Sequence, residues 1–336
     1  MKKILVTGCA GFIGYHLCKR LLLKKYDLLG VDNLSNYYDI SLKNSRLNEI
    51  KKTTEKYNLK WKFNKIDLIN KNDVDKLFNQ FKPEIVIHLA AQAGVRFSIN
   101  HPEEYINSNL IGFFNVIENC RNHLIKNFLF ASSSSVYGDS SKVPFSESNN
   151  VDSPVSLYGA TKKSNELIAY SYSHLYKIPS IGMRFFTVYG PWGRPDMAPM
   201  LFTKAILSGS SLKVFNNGKN KRDFTYIDDI IEAIDRLIEK AIKSNQNELL
   251  KQEVPYQIFN IGNNKPINIL KFIEILEKEI GIKAKKDFIP MQLGDVKETF
   301  ADTNKIEKFL GFKPNTDLNN GIKLFIEWYK SFYKDI

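Results

Sequence analysis

The sequence predicts an α/β protein: a doubly wound parallel sheet with a smaller C-terminal α/β lobe. Three observations carry this. Short β-rich runs alternate with amphipathic segments from the N-terminus, a glycine-rich turn follows the first run, and the alternation loosens after Tyr189. The strand candidates are "KILVTG", "DLLGVD", "WKFNKID", "EIVIHLA", "NFLFAS" and "PSIGMRF". Between them, Phe12 to Lys25, Asp73 to Phe81 and Pro102 to His123 carry apolar residues at helical spacing, and helical crossovers make neighbouring strands parallel. A further helix begins near Leu157. Beyond Tyr189 come the loop-like "GPWGRPDMAPM", shorter elements in less regular order, and one strongly amphipathic segment, Tyr226 to Ile242. The expected division is residues 1–190 for the sheet domain and 191–336 mainly for the lobe, with segments such as 224–262 packing back on the sheet.

Composition narrows the class. With 43% hydrophobic and 25% charged residues over 336 positions, the chain can bury a large core. Its net charge of +12 comes from lysines spread along the chain, the nearest approach to a run being "IKAKKD" at 282–287. That spread argues against nucleic acid and suits small anionic substrates. Cys9, Cys18 and Cys120 lack metal-ligand spacing and cannot all pair, which points to a reducing compartment. No cleavable leader or membrane-length apolar run is present, so a cytoplasmic protein without a membrane partner is expected. The five histidines form no ligand set, and no metal is expected.

After the first strand, "TGCAGFIG" places Gly8, Gly11 and Gly14 where a helix opens. Glycine allows the tight turn, and the N–H groups around Phe12, Ile13 and Gly14 can then approach a pyrophosphate at the positive helix end. Asp32 ends the second strand, followed by Asn33, where a carboxylate can accept from a ribose diol and would repel a 2′-phosphate. No Lys or Arg follows until Lys43, so NAD is expected rather than NADP. Asp67, with Leu68 after the third strand, either accepts from the adenine amino group or caps a helix. Leu89, Ala90 and Ala91 would form a close wall of small side chains along the cofactor, and His88 reads as a hydrogen-bonded strand-end residue.

The fifth strand runs into "SSSSVYG", Ser132 to Gly138, and "SLYGATKK" follows at 156–163. Strand carboxyl ends face the ligand crevice in a doubly wound sheet, so the serines come out there. On a helix, Tyr158 and Lys162 share a face. An ammonium near the phenol, with the charge of an oxidised nicotinamide, would depress the phenol from its usual pKa of about 10 and make it a general base for hydroxyl oxidation.

Taken with "HLAAQAGVR" and "RDFTYIDD", these segments resemble the extended short-chain dehydrogenases/reductases, in the branch acting on nucleotide sugars, over nearly the whole length. The resemblance implies a Rossmann-type domain with bound NAD. It implies Tyr158 as base, Lys162 on the nicotinamide ribose, and one serine orienting the substrate hydroxyl: Ser133, counting back from Tyr137, with Ser134 as the alternative. Relatives that eliminate water or lose carbon dioxide carry acidic residues beside that serine. Here Ser134 and Ser135 follow, so a 4-keto intermediate could only be reduced again, which is C4 epimerisation.

The stretch "RFFTVYGPWGRPDMAP" at 184–199 is similar to that of UDP-glucuronate 4-epimerases, and Thr187 stands where many UDP-glucose 4-epimerases carry Asn. Hydroxyls of Ser133, Ser134 and Thr187, with Arg96 as a possible second contact, are suited to hold a C6 carboxylate in an orientation that resists decarboxylation. Arg194 and Arg222 are candidates for the diphosphate, and Asp295 for the ribose or for orienting an arginine. Two other readings stay open: a UDP-glucose or UDP-N-acetylglucosamine 4-epimerase, and a non-catalytic NAD-sensing protein. The resemblance also implies a homodimer, through the helices around 102–123 and 157–176.

Overall fold

The structure is a computed structural model describing residues 2–140, 142–242 and 252–334. Six parallel strands follow the expected runs: β1 (Lys3–Thr7), β2 (Asp27–Asp32), β3 (Trp61–Lys65), β4 (Ile85–His88), β5 (Asn127–Ser133) and β6 (Ser180–Phe185). Then come β7 (Thr187–Tyr189), β8 (Ser211–Val214), β9 (Lys221–Tyr226), β10 (Tyr256–Ile261), β11 (Pro266–Asn268) and β12 (Lys285–Phe288). The main sheet has the order β10-β6-β5-β4-β1-β2-β3, so its outermost strand beside β6 comes from late in the chain. Strand order reverses between β1 and β4, and a ligand crevice opens at the carboxyl ends of strands at such a point. The β1, β4 and β5 runs are buried almost throughout, as fits a sheet covered on both faces. The smaller sheets are β11-β9-β7 and β12-β8.

Helices α1 (Phe12–Leu23), α2 (Ile40–Tyr57) and α3 (Lys71–Phe81) join the first strands. The sequence reading did not anticipate α2. Its buried positions are Leu42, Lys43, Arg46 and Ile50, so two cations stand on the inward face and interrupt the apolar stripe that would have marked a helix. The predicted helix at 102–123 is not one regular helix. A short turn α4 (Phe97–Asn100) leads into α5 (Pro102–Tyr105), a π-helical stretch at Ile106–Ile111, and α6 (Gly112–Asn122). The longest helix, α7 (Leu157–Tyr176), starts where expected because the Ser156 hydroxyl accepts from the Gly159 N–H at 3.1 Å.

The rest of the chain adds α8 (Ala198–Leu207), α9 (Ile227–Ile242), α10 (Ile269–Ile280), α11 (Asn304–Leu310) and α12 (Leu318–Phe332). The amphipathic α9 packs against α1. It buries an isoleucine-rich face in the same core as α1, and Asp235 meets Arg20 at 3.2 Å and Lys24 at 2.7 Å. One core lies on the α1 and α9 side of the sheet, and a second fills the space under α3, α6 and α7. Among the described residues, no helix is long and apolar enough to cross a membrane.

Candidate functional site

The glycine turn shows why no side chain fits. Gly8 has φ +71°, and a Cβ there would lie 2.7 Å from the Ala90 nitrogen; one on Gly14 would lie 2.1 Å from the Gly8 carbonyl oxygen. The turn thus packs backbone against backbone. No side chain caps α1 at Gly11, which leaves the N–H groups of its first turn for an anion. Gly8, Gly11, Phe12, Ile13 and Gly14 all line one elongated crevice over the strand ends. A dinucleotide pyrophosphate fits this donor set.

Asp32 stands on the same crevice, its carboxylate accepting from the Ala10 N–H at 3.1 Å and the Leu34 N–H at 2.9 Å. Those bonds fix it at the end of β2. Asn33 donates to Asp67 at 3.1 Å, and both line the crevice with Leu68. Asp67 does not cap α3: the N-cap is Asn70, while Asp67 accepts from the Ile69 N–H at 3.1 Å in a local turn. The Leu89, Ala90 and Ala91 wall lines the crevice as well. His88 is buried below it, bonded to the Thr7 hydroxyl at 2.9 Å, and burial, helped by the Lys162 charge, lowers its pKa to about 3. It is a neutral structural residue.

Lys43, the first cation after Asp32 in the chain, is folded back onto the crevice by α2. Its ammonium donates to the Ser35 carbonyl at 2.7 Å and lies over the Tyr38 ring at 4.8 Å. The Asp32 charge raises its pKa, while burial, the larger effect, lowers it.

On the far side, Ser133, Ser134, Ser135, Tyr158, Lys162 and Thr187 line the same crevice. The serines divide their work. Ser132 donates to the buried Glu166 at 2.6 Å, whereas Ser133 donates to the Ser135 hydroxyl at 3.2 Å and accepts from the Ser135 N–H at 3.1 Å. Lys162 is buried and donates to the Ala131 carbonyl at 2.9 Å; burial brings its pKa down to about 8, against the pull of Glu166. The Tyr158 phenol departs from expectation. Burial holds its pKa above the usual value, the Ser133 hydroxyl and the Arg194 charge acting in the lowering direction and the Asp196 charge in the raising one. The lysine charge is directed at a strand carbonyl, so the chain alone does not make the phenol acidic.

Asn109 escaped the sequence reading. The π-helical stretch turns it inward, where it accepts from the Gln92 N–H at 2.8 Å and donates to the Gln92 carbonyl and the Thr161 hydroxyl, each at 3.0 Å. It thereby locks the segment after β4 to the turn of α7 that carries Tyr158 and Lys162. Only the helix period marks its position, and nothing in the sequence marks the π bulge.

The arginine candidates separate. Arg222, from β9, donates to Asp295 at 2.6 Å, and both line the crevice. Arg96 is not among the lining residues. It lies 4.2 Å over the Phe215 ring and 3.9 Å from Asp295, the partner of Arg222. Arg194 lines the crevice and is gripped by Asp196 at 3.0 and 2.5 Å, with Tyr37 donating to the same carboxylate at 2.9 Å. The arrangement joins an uncapped helix end, the Asp32 carboxylate and a phenol with a buried lysine, all on one groove. It can hold a dinucleotide and move a proton at a hydroxyl lying over it.

Comparison with known proteins gives concordant matches. Residues 5–325 match the family model described as GDP-mannose 4,6 dehydratase. The protein CapI of Staphylococcus aureus is 48% identical over 99% of each chain. A probable UDP-glucuronate 4-epimerase of Rhizobium meliloti is 40% identical over 99% of this chain and 98% of its own. Among solved structures, a UDP-glucuronic acid 4-epimerase from Bacillus cereus, in complex with UDP-glucuronic acid and NAD, superposes with a TM-score of 0.88 at 34% identity, covering 98% of this chain and all of the other.

Proposed function

Because the chain belongs to the GDP-mannose 4,6-dehydratase family of extended short-chain dehydrogenases/reductases, we infer that it is an NAD-dependent 4-epimerase of a UDP-sugar, with UDP-glucuronate as substrate and UDP-galacturonate as product. One observation carries the choice of reaction: beside Tyr158 the crevice offers the hydroxyls of Ser133, Ser134, Ser135 and Thr187. Asp196, the carboxylate whose charge reaches Tyr158, is held by Arg194 and Tyr37. The two positions after Ser133, where the resemblance puts an acid in relatives that eliminate water, are the hydroxyls Ser134 and Ser135.

NAD, when bound, would supply the hydride acceptor for sugar C4, the hydride donor for the opposite face of the resulting ketone, and the positive charge of its oxidised ring. Gly8, Gly11 and the first turn of α1 would hold its pyrophosphate, Asp32 a ribose and Lys162 the nicotinamide ribose. Tyr158 would take the proton of the C4 hydroxyl on oxidation and give one back to the same oxygen when the ketone is reduced on its other face. Ser133 orients that hydroxyl. The 4-keto sugar made from a glucuronate is a β-keto acid, which loses carbon dioxide once its carboxylate bond aligns with the carbonyl π system. Fixed hydroxyl donors from Ser133, Ser134 and Thr187 keep it out of that alignment.

Purified protein incubated with UDP-glucuronate and, separately, with UDP-glucose tests the assignment. C4 epimerisation of the uronate is expected to be the faster, and faster turnover of the neutral sugar would overturn the choice of substrate. Arg222 and Asp295 form the diphosphate end in this reading. Arg222→Ala is therefore expected to raise KM about tenfold or more while bound NAD stays constant. An unchanged KM would remove Arg222 from the site.

The active form is read as a homodimer in the cytoplasm. Support for the compartment is that Cys9, Cys18 and Cys120 are all buried free thiols. Support for the dimer is an exposed apolar stripe: Leu167 and Tyr170 on α7, beside Phe114 on α6 and Ile111 before it, are 57, 48, 44 and 41% exposed. Leu167→Glu is expected to halve the mass measured by light scattering, and an unaltered mass would exclude this face.

A further inference from the structure

Arg46 on α2 is fully buried, and its partners are neutral. Nη1 donates to the Ala10 carbonyl at 2.8 Å and the Tyr38 hydroxyl at 2.7 Å; Nη2 donates to the Trp192 carbonyl at 2.6 Å and the Gly193 carbonyl at 3.2 Å. Its Nε has no partner among the described residues. A buried cation held only by dipoles is costly to a fold, so what it joins matters. Ala10 lies inside the glycine turn, and Trp192 and Gly193 immediately precede Arg194. Tyr38 follows Tyr37, which reaches across to Asp196, the partner of Arg194. The loop after β2 and the loop after β7 are thus tied twice: through Arg46 beneath, and through Tyr37 and Asp196 beside the crevice.

We propose that Arg46 is a positioning residue that couples the dinucleotide-binding turn to the loop carrying Arg194, so that cofactor seating and sugar-nucleotide grip are set by one side chain. This rests on the reading of the glycine turn as the pyrophosphate site and of Arg194 as a sugar-nucleotide contact. Only a planar guanidinium spans four acceptors on three segments; a lysine ammonium, a single point with three donors, cannot.

Arg46→Lys, Arg194→Ala, the double variant and Tyr38→Phe, all as full-length protein, test the coupling. Three quantities are measured: NAD retained through gel filtration, Kd for UDP-glucuronate by calorimetry, and thermal midpoint. Arg46→Lys is expected to lose NAD that the parent retains and to weaken UDP-glucuronate about tenfold. In the Arg194→Ala background the same change should still release NAD but weaken UDP-glucuronate by less than about twofold. A full tenfold effect in that background, or unchanged NAD and Kd in Arg46→Lys, overturns the proposal. A fall in thermal midpoint with neither binding change marks Arg46 as merely structural and overturns it too. Should Arg46→Lys fail to fold, Tyr38→Phe, which removes one of the four contacts, decides: a smaller shift of both quantities supports the coupling, and no shift of either refutes it. Absence of epimer from the parent protein would defeat the proposed function alone, because NAD retention and UDP-glucuronate affinity are read without turnover.

Discussion

Tyr158→Phe is expected to lower epimerisation by about three orders of magnitude while the purified protein keeps its dinucleotide. The ring lines the crevice and packs edge-on against Tyr105, with centroids 6.1 Å apart, so phenylalanine preserves the packing and removes only the hydroxyl. The glycine turn and Asp32, which would hold the cofactor, lie on other elements. The result expected is therefore a protein with unchanged bound NAD, measured by absorbance after denaturation, and no detectable UDP-galacturonate. The same experiment separates an enzyme from an NAD sensor, which would have no turnover to lose. Activity within about tenfold of the parent would move the proton acceptor elsewhere.

The departure at this phenol shows where sequence reading stops. Spacing alone puts Tyr158 and Lys162 on one helix face, and the structure has both on the crevice. Spacing says nothing about where the ammonium goes, and it goes to the Ala131 carbonyl at 2.9 Å. The fold was legible because buried parallel strands leave apolar runs and crossover helices leave amphipathic ones. Helix α2 was illegible for the opposite reason. Two of its four buried positions are the cations Lys43 and Arg46, and a pattern that equates burial with apolarity passes over them. Tyr37, Asp196 and Arg46 come from segments up to 159 positions apart along the chain, as in the Tyr37–Asp196 bond, and only the folded chain brings them together. The glycine turn was legible because part of its constraint is local, the close approaches at Gly14 being to Gly8 and Cys9, whereas those at Gly8 are to Leu89 and Ala90 and needed the folded chain.

The largest stability effect is expected beneath the site. Glu166 on α7 and Arg184 on β6 form a two-pronged ion pair, with Nε and Nη2 donating to the two carboxylate oxygens at 2.8 Å each and side chains only 3% and 4% exposed. Ser132 donates to Glu166 at 2.6 Å. The Tyr137 phenol accepts from Arg184 at 2.9 Å and donates to Asn260 at 2.6 Å. Ser132 and Tyr137 of "SSSSVYG" thus serve this network, and Ser132 to Ser135 all border the crevice. Removing one charge leaves the other buried and uncompensated, so Glu166→Gln is expected to cost about 3–5 kcal/mol in denaturant unfolding. Glu166→Gln with Arg184→Met should cost less than Glu166→Gln alone, because neutralising both members of the pair leaves no orphaned charge. If the double variant is the less stable, the penalty comes from lost packing and not from the charge. The single variant should also register in the chemistry. The Glu166 carboxylate raises the pKa of Lys162 against burial, so its loss should take the ammonium further below about 8. The charged form would then disappear at lower pH, and the alkaline limb of the turnover profile should move toward neutrality in Glu166→Gln. A profile that stays in place while stability falls would separate the network from the catalytic lysine.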